Sequence, residues 1–405
     1  CGSFIEYRSS GTCGLWRYFS GRTPGRHNRS MTTQGSTPQP SSTTTHGGLQ
    51  IRGVAKSFGM DTHVLREIDL EVEPGEMVSL VGASGTGKST LLRIIAGLEE
   101  ANAGRITYAG QLLNAGQVGF VFQHPILYPH LSVRKNILFP TTLRGYRQKA
   151  DKNYYTDLMD ALQIGELQHR KPQELSGGQA QRVGIARALI RKAPVVLFDE
   201  PLASVDEELS ASIRADIARL HAEYKFTGLY VTHDQNEALQ LGQRVAVMDA
   251  GYLVQVDTPE HLLANPHTLQ AARLTASPAL NELTLTEGQH LPAGASLYVR
   301  ATSLRRIESI AENPAENTIP VQIQGVLPQV GGTLYRAVTQ AKVTLDAASH
   351  DGSARVPLQV PGGQPLEFFE PDALALPVLT SGQRAQVQVP PHHCFIFVNG
   401  TRHYL

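Results

Sequence analysis

Cysteine and tryptophan are scarce: three Cys and one Trp in 405 residues. Cys1 and Cys13 fall at the start of the chain, so Cys394 is alone in the body. Disulfides therefore cannot hold that body together, and a reducing compartment suits it. No apolar run reaches the roughly 18 uninterrupted residues of a membrane helix, so the chain has no such helix of its own. Net charge is missing as well, with 36 Lys+Arg against 36 Asp+Glu. This argues against broad electrostatic binding to nucleic acid. Neither a solenoid repeat nor sustained heptads occur. What remains, at 41% hydrophobic and 18% charged, is globular and long enough for two or three domains.

The neutral total conceals a split. Residues 1–48 hold Arg8, Arg17, Arg22, Arg26 and Arg29 against Glu6 alone, together with sixteen Ser or Thr and Trp16. That segment has no sustained period and too little apolar area to offset its ordering entropy, so a disordered basic tail is expected. Arg-rich and acid-poor, it superficially reads as a transit peptide. Met31 lies just before the periodic body, and the expectation is that translation starts there, with residues 1–30 upstream.

From Leu49 the pattern changes. LQIRGVAKSF alternates like a strand, and VLREIDLEVEPGEMVSLVG reads as two strands around Pro74-Gly75. A helix is expected over Thr90–Leu98, ended by Gly97, with mainly helical structure over 142–192. PVVLFDEP and GLYVTHD are short apolar runs of the kind buried in parallel sheets, and helices over 207–224 and 235–242 intervene. This alternation predicts a doubly wound α/β domain over 49–278. Beyond about residue 279, LYVR, IPVQIQG, TLYRAVTQ, KVTLDA, VPLQV, RAQVQV and CFIFV predict a small all-β, OB-like domain over 279–405.

GASGTGKS, Gly82 to Ser89, fits G-x-x-x-x-G-K-[ST] between a predicted strand and a helix, the context that confirms such a match. Its glycines permit a tight loop whose N–H groups face phosphate oxygens, and the helix N-terminus adds partial positive charge. Lys88 supplies a cation for the β- and γ-phosphates and Ser89 a hydroxyl for Mg²⁺. Asp199 ends an apolar strand and points into the crevice where ligands bind, placed to hold Mg²⁺. Glu200 follows, placed to polarise an attacking water. In isolation, adjacent acids at a strand end read equally well as a solvated turn; the loop makes the difference. Pro391-His392-His393-Cys394 reads as structural, since a closed zinc site wants four ligands.

LSGGQAQRVGIARAL, Leu175 to Leu189, places two glycines at the opening of an amphipathic helix. With the loop and acids above, it resembles the ATP-binding-cassette family. The resemblance covers about residues 49–275 and rests on five motifs in the family's order. It implies a P-loop ATPase with a helical subdomain and a set of roles. Phe58 stacks on adenine; Gly82, Ala83, Ser84, Gly85, Thr86, Gly87, Lys88, Ser89 and Thr90 cradle ATP. Gln123 in FVFQ senses Mg²⁺ and the membrane partner, so Ser89, Gln123 and Asp199 form the metal set. Ser176, Gly177, Gly178 and Gln179 contact the γ-phosphate bound to another protomer, and Asp206 crosses that interface. His233 is the switch histidine, which with Glu200 and Lys88 makes the catalytic set. Alone, a histidine after an apolar strand is more often a satisfied polar residue.

One set of motifs implies a dimer around two ATP, either a homodimer or a heterodimer with a similar ATPase. Ala83 stands where the family usually has proline, and the tract between Gly104 and Gly119 is short. FQHPILYPHLSVRKNI and ASPALNEL resemble the carbohydrate-uptake branch, of maltose and glycerol-3-phosphate importer type, whose TOBE-type barrel LYVRATSLRRI fits more loosely. The branch implies two transmembrane permeases, an indirect solute-binding protein outside, and a place on the cytoplasmic face of the cell membrane. Its cargo would be a sugar, polyol or glycerol-phosphate; iron, polyamine and sulfate importers carry similar extensions. A soluble ribosomal or DNA-repair ATPase of the family is the rival. It fits less well, because the chain has one Ser-Gly-Gly motif and no coiled coil.

Overall fold

The computed structural model describes residues 47–59, 62–143, 151–286, 291–292, 294–307, 317–348, 355–374 and 376–404. The expected basic tail, apart from Gly47 and Gly48, and the Met31 start lie outside the described residues.

The chain begins β1 (Leu49–Phe58), β2 (Thr62–Val72), β3 (Met77–Gly82) and α1 (Lys88–Ile95). There follow β4 (Ala103–Tyr108), β5 (Gln111–Leu112), β6 (Val118–Val121), α2 (Val133–Leu138), α3 (Lys152–Ala161) and α4 (Gly177–Leu189). β7 (Val195–Asp199), α5 (Glu207–Tyr224), β8 (Thr227–Val231), α6 (Gln235–Leu241), β9 (Arg244–Asp249) and β10 (Tyr252–Asp257) come next, then α7 (Pro259–Ala264) and α8 (Leu269–Leu274).

β1 and β2 form an antiparallel sheet with β4 and β5. The central sheet runs β10-β9-β3-β8-β7-β6, parallel except for β10. Alternation along β7 shows why it lies inside. Val195 and Leu197 join a core with α1 and the antiparallel sheet, whereas Val196 and Phe198 join a core with α3, α4 and α5. Both faces are covered, so the strand reads as unbroken apolar sequence.

The helices start on side-chain caps. Asp206 accepts from Leu209 N, with Glu207 and Glu208 in the first turn against the positive end of α5. Ser176 and Gln179 form a reciprocal capping box on α4. α1 starts two residues before the expected Thr90 and stops at Ile95, before Gly97 at φ +70°. The expected helical tract over 142–192 consists of α3 and α4 with short 3₁₀ turns at Gly165–Leu167 and Pro172–Glu174; residues 144–150 lie outside the described set.

The remainder is all-β. β11 (Leu280–Thr284), β12 (Ala295–Arg300), β13 (Arg305–Ile307), β14 (Thr318–Gln329), β15 (Gly332–Thr339) and β16 (Val343–Ala348) are followed by five more strands. These are β17 (Arg355–Val360), β18 (Pro365–Pro371), β19 (Arg384–Gln388), β20 (Cys394–Val398) and β21 (Thr401–His403). They pair antiparallel as β11-β12-β20-β21, β13-β19-β14-β15-β18 and β16-β17 around one apolar core. His393 of the expected structural tetrad meets Ser303 Oγ at 3.0 Å, and burial pushes the Cys394 thiol up to about 12.

The boundary we propose at 278/279 falls between α8 and β11. Across it, Leu269 N donates to Gly400 O at 2.9 Å and Arg402 N to His267 O at 3.0 Å. Ala272 packs with Tyr298, Phe395 and Phe397. Arg300 donates to Leu263 O and to Thr275 Oγ1, and its guanidinium lies 4.8 Å from the Phe395 ring centre. Arg402 lies 4.5 Å from the same ring. Burial brings both guanidinium pKa values down to about 10. One aromatic ring thus serves two desolvated cations. Phe395→Ala is expected to cost about 3–5 kcal/mol, the usual range for a buried phenylalanine. The β-rich part should then unfold at lower denaturant; an unchanged midpoint would contradict this account.

Candidate functional site

Four neighbouring parallel strands stop together. Leu80 of β3 pairs with Val231 of β8, Val231 with Asp199 of β7, and Val121 of β6 with Phe198. The segments leaving these ends are the Gly82–Ser89 loop, the His233 turn, the Asp199-Glu200 pair and the Gln123 segment. Sheet register alone therefore brings four of the expected motifs to one edge, at the carboxyl ends of the strands.

Within the loop, Ala83, Ser84 and Gly85 are exposed, while Thr86, Gly87 and Lys88 are buried. Gly87 sits at φ +100°, and a Cβ there would lie 2.7 Å from both Leu65 Cδ2 and Val64 O. Only glycine meets both demands. Thr86 Oγ1 donates to Ala83 O at 2.9 Å. Lys88 Nζ donates to Gly82 O and Ala83 O, each at 2.9 Å. Its burial lowers the ammonium pKa, with Glu200 and Asp199 pulling the other way.

Ser89 Oγ donates to Asp199 Oδ1 at 2.7 Å. Asp199 is 8% exposed, and burial raises its carboxyl despite that hydroxyl. Thr90, the next residue of α1, is half-buried. Glu200 adopts φ +45°, a left-handed conformation that strains a non-glycine residue. Its N–H donates to Val231 O at 3.0 Å, so β8 helps to hold it there. Glu200 Oε2 stands 3.1 Å from His233 Nδ1, and the imidazole is largely exposed. A carboxylate touching an imidazole beside a phosphate loop can orient and deprotonate a water.

Phe58 closes β1, 47% exposed, with Lys56 Nζ 5.0 Å from its ring centre. It offers an open aromatic face. Gln123 is exposed after β6. Ser176, Gly177, Gly178 and Gln179 open α4, and Asp206 caps α5. These two helix ends interlock: a Cβ on Gly178 would lie 2.1 Å from Leu209 Cδ2. Among the described residues, the side-chain hydrogen bonds of Ser176, Gln179 and Asp206 stay within their own helix ends and reach nothing in 82–90.

Sequence reasoning passed over Tyr230, Thr232 and Glu237, which form a buried network under the His233 turn. The available signal was Glu237 itself, an acid three residues after Asp234 with buried Ala238 and Leu241 beyond it.

The family model described as ABC transporter matches residues 65–203. The sn-glycerol-3-phosphate import ATP-binding protein UgpC of Ruegeria sp. is 40% identical over 290 residues, 68% of this chain and 81% of its own length. The chain belongs to the ATP-binding-cassette transporter family. UgpC of Burkholderia pseudomallei is 44% identical over 240 residues, covering 58% of this chain and 67% of the relative. A solved ATP-binding cassette, dimeric with ADP and Pi after hydrolysis, aligns at 29% identity and TM-score 0.47 over 52% of this chain and 98% of its own. As an ATP-binding-cassette ATPase, the chain binds ATP and hydrolyses it. No described helix is long and apolar enough to cross a membrane.

Proposed function

We propose that two copies of this chain, or one with a similar ATPase, close around two ATP and drive solute import through two permeases at the cytoplasmic face of the membrane. The observation that carries the ATPase half is the Glu200–His233 contact beside Lys88 and the Ser89–Asp199 pair. In this reading Glu200 is the base and His233 positions the water and γ-phosphate, while Phe58 stacks on adenine. Residues 82–90 hold the phosphates. Ser176 to Gln179 and Asp206, at two interlocked helix ends, serve the partner's nucleotide.

Mg²⁺ fits this site. Ser89 Oγ and Asp199 Oδ1 are hard oxygen donors already within 2.7 Å of each other, and Asp199 is a carboxylate whose burial favours a bound cation. With Gln123 they would hold the ion, which supplies charge neutralisation at the phosphates.

For import, the support is the relatives' printed activity, and the cargo we assign is sn-glycerol-3-phosphate or a related sugar or polyol. A groove of about 710 Å³ between α2 and α3, lined by Arg134, Leu138, Lys152, Tyr155, Met159 and Asp160, offers the permeases a mixed apolar and charged seat. A solute-binding protein outside the membrane would act only through those permeases.

The test is purification from native membranes, followed by reconstitution in vesicles. Two integral-membrane permeases should co-purify, and binding protein loaded with sn-glycerol-3-phosphate should raise ATP turnover. Recovery with ribosomes, without permeases, would overturn import. Stimulation by sulfate, iron or a polyamine instead would overturn the cargo.

A further inference from the structure

Under the His233 turn lies a carboxylate that the reaction so far leaves unused. Glu237 is 7% exposed, third in α6 after its cap Asp234. That spacing reads as a capping box, in which the glutamate returns to the N–H of the cap residue. The side chain does otherwise. Asp234 N donates to Thr232 Oγ1 at 3.0 Å, and Glu237 Oε2 accepts from Thr232 Oγ1 at 2.7 Å and from Tyr230 OH at 3.0 Å. Asp234 Oδ1 accepts from Glu237 N at 2.9 Å.

The consequence is local. Thr232 and Asp234 flank His233, and each is tied through one hydroxyl to the same buried carboxylate. His233 itself stays exposed, with Nδ1 on Glu200. The turn is thus held on both sides of His233, while the ring, solvent-exposed, faces Glu200. Burial pushes the Glu237 carboxyl up and the two hydroxyl donors oppose that. Arg214 of α5 adds a cation near Glu237 and Tyr230, and its guanidinium meets Glu207 Oε1 at 3.0 Å, one residue past Asp206.

We propose that Glu237 is a positioning residue for ATP hydrolysis: by holding the Thr232 hydroxyl it fixes the His233 turn against Glu200. It makes no contact with nucleotide in this role. A purely structural glutamate would affect folding and nucleotide affinity together, whereas a positioning one affects the chemical step.

The experiment measures ATP turnover against ATP concentration in the full chain. Glu237→Ala should lower kcat about tenfold to a hundredfold, as small misplacements of a reacting group do, with KM within about twofold. Glu237→Gln keeps an acceptor oxygen in place and should restore kcat to within about threefold of wild type. Tyr230→Phe removes one donor and should fall between. Wild-type kcat in folded Glu237→Ala would overturn the proposal. So would equal losses in Ala and Gln accompanied by a raised KM. Should Glu237→Ala not accumulate as folded protein, Thr232→Val reads the same link. A lower kcat at unchanged KM supports it, and an unchanged kcat overturns it. The inference rests on the role proposed for His233, which His233→Ala tests separately. Wild-type turnover in His233→Ala sinks that role. Loss of turnover in His233→Ala with none in Glu237→Ala sinks the positioning alone.

Discussion

Glu200→Gln is expected to bind ATP and to turn it over about 10²–10⁴-fold more slowly, the usual contribution of a general base. Among the described residues, Glu200 is the one carboxylate at the strand ends that touches His233, at 3.1 Å. Its neighbour Asp199 is occupied by Ser89 and nearly buried. The two acids therefore divide the work by environment: one faces a hydroxyl and the metal position, the other faces the imidazole and solvent. Glutamine keeps the shape and the left-handed backbone at φ +45°, since Gln and Glu bear the same strain there. Only the basic oxygen is lost. ATP then remains between protomers, and a ligand that binds the closed state better than the open one shifts the population toward it. Size-exclusion chromatography with ATP should show the variant at twice its ATP-free mass. Wild-type turnover would refute the role of base.

Much of this site was legible because its motifs are short and bound to strand ends. An apolar run followed by an acid or histidine marks both the strand and the group that leaves it, as at Val195–Asp199 and Thr227–Val231. Sheet order then does the rest, since β3, β8 and β7 are neighbours. The Glu237 network was not legible for the opposite reason. Its members look like ordinary strand, turn and cap residues, and their link depends on the direction a side chain takes. β18 escaped for another cause. Prolines at Pro365 and Pro371 argue against a strand in sequence, yet they are tolerated at the ends of a strand on a sheet edge, where β18 lies. The seat of β20 and β21 on α8 was hidden as well, because nothing in the sequence marks Arg300, which is buried, and Arg402, which is half-buried, as packing on Phe395.

Lys88→Ala should lose ATP without losing the fold. Lys88 is 5% exposed and its ammonium is bonded to two loop carbonyls, so it is fixed before any phosphate arrives. A hydrogen bond to a charged group is worth about 1.5–3 kcal/mol, which is about tenfold to a hundredfold in affinity per bond. Lys88 is placed to make more than one such bond to the β- and γ-phosphates. Its removal also leaves Asp199 and Glu200 facing the incoming anion without the cation that opposes them. The loss of affinity should therefore be at least a hundredfold by the same scale. Lys88→Arg is expected not to rescue it, because a planar guanidinium does not fit where a compact ammonium lies between Gly82 O and Ala83 O. Stability should move the other way, or hardly at all. Burial lowers the Lys88 pKa, and this desolvation cost offsets what its two bonds to loop carbonyls contribute to the folded state. Calorimetric titration with ATP, alongside a thermal melt, separates the two effects. An unfolded variant would contradict the expected stability, and a folded variant with wild-type affinity and rate would refute the role of Lys88.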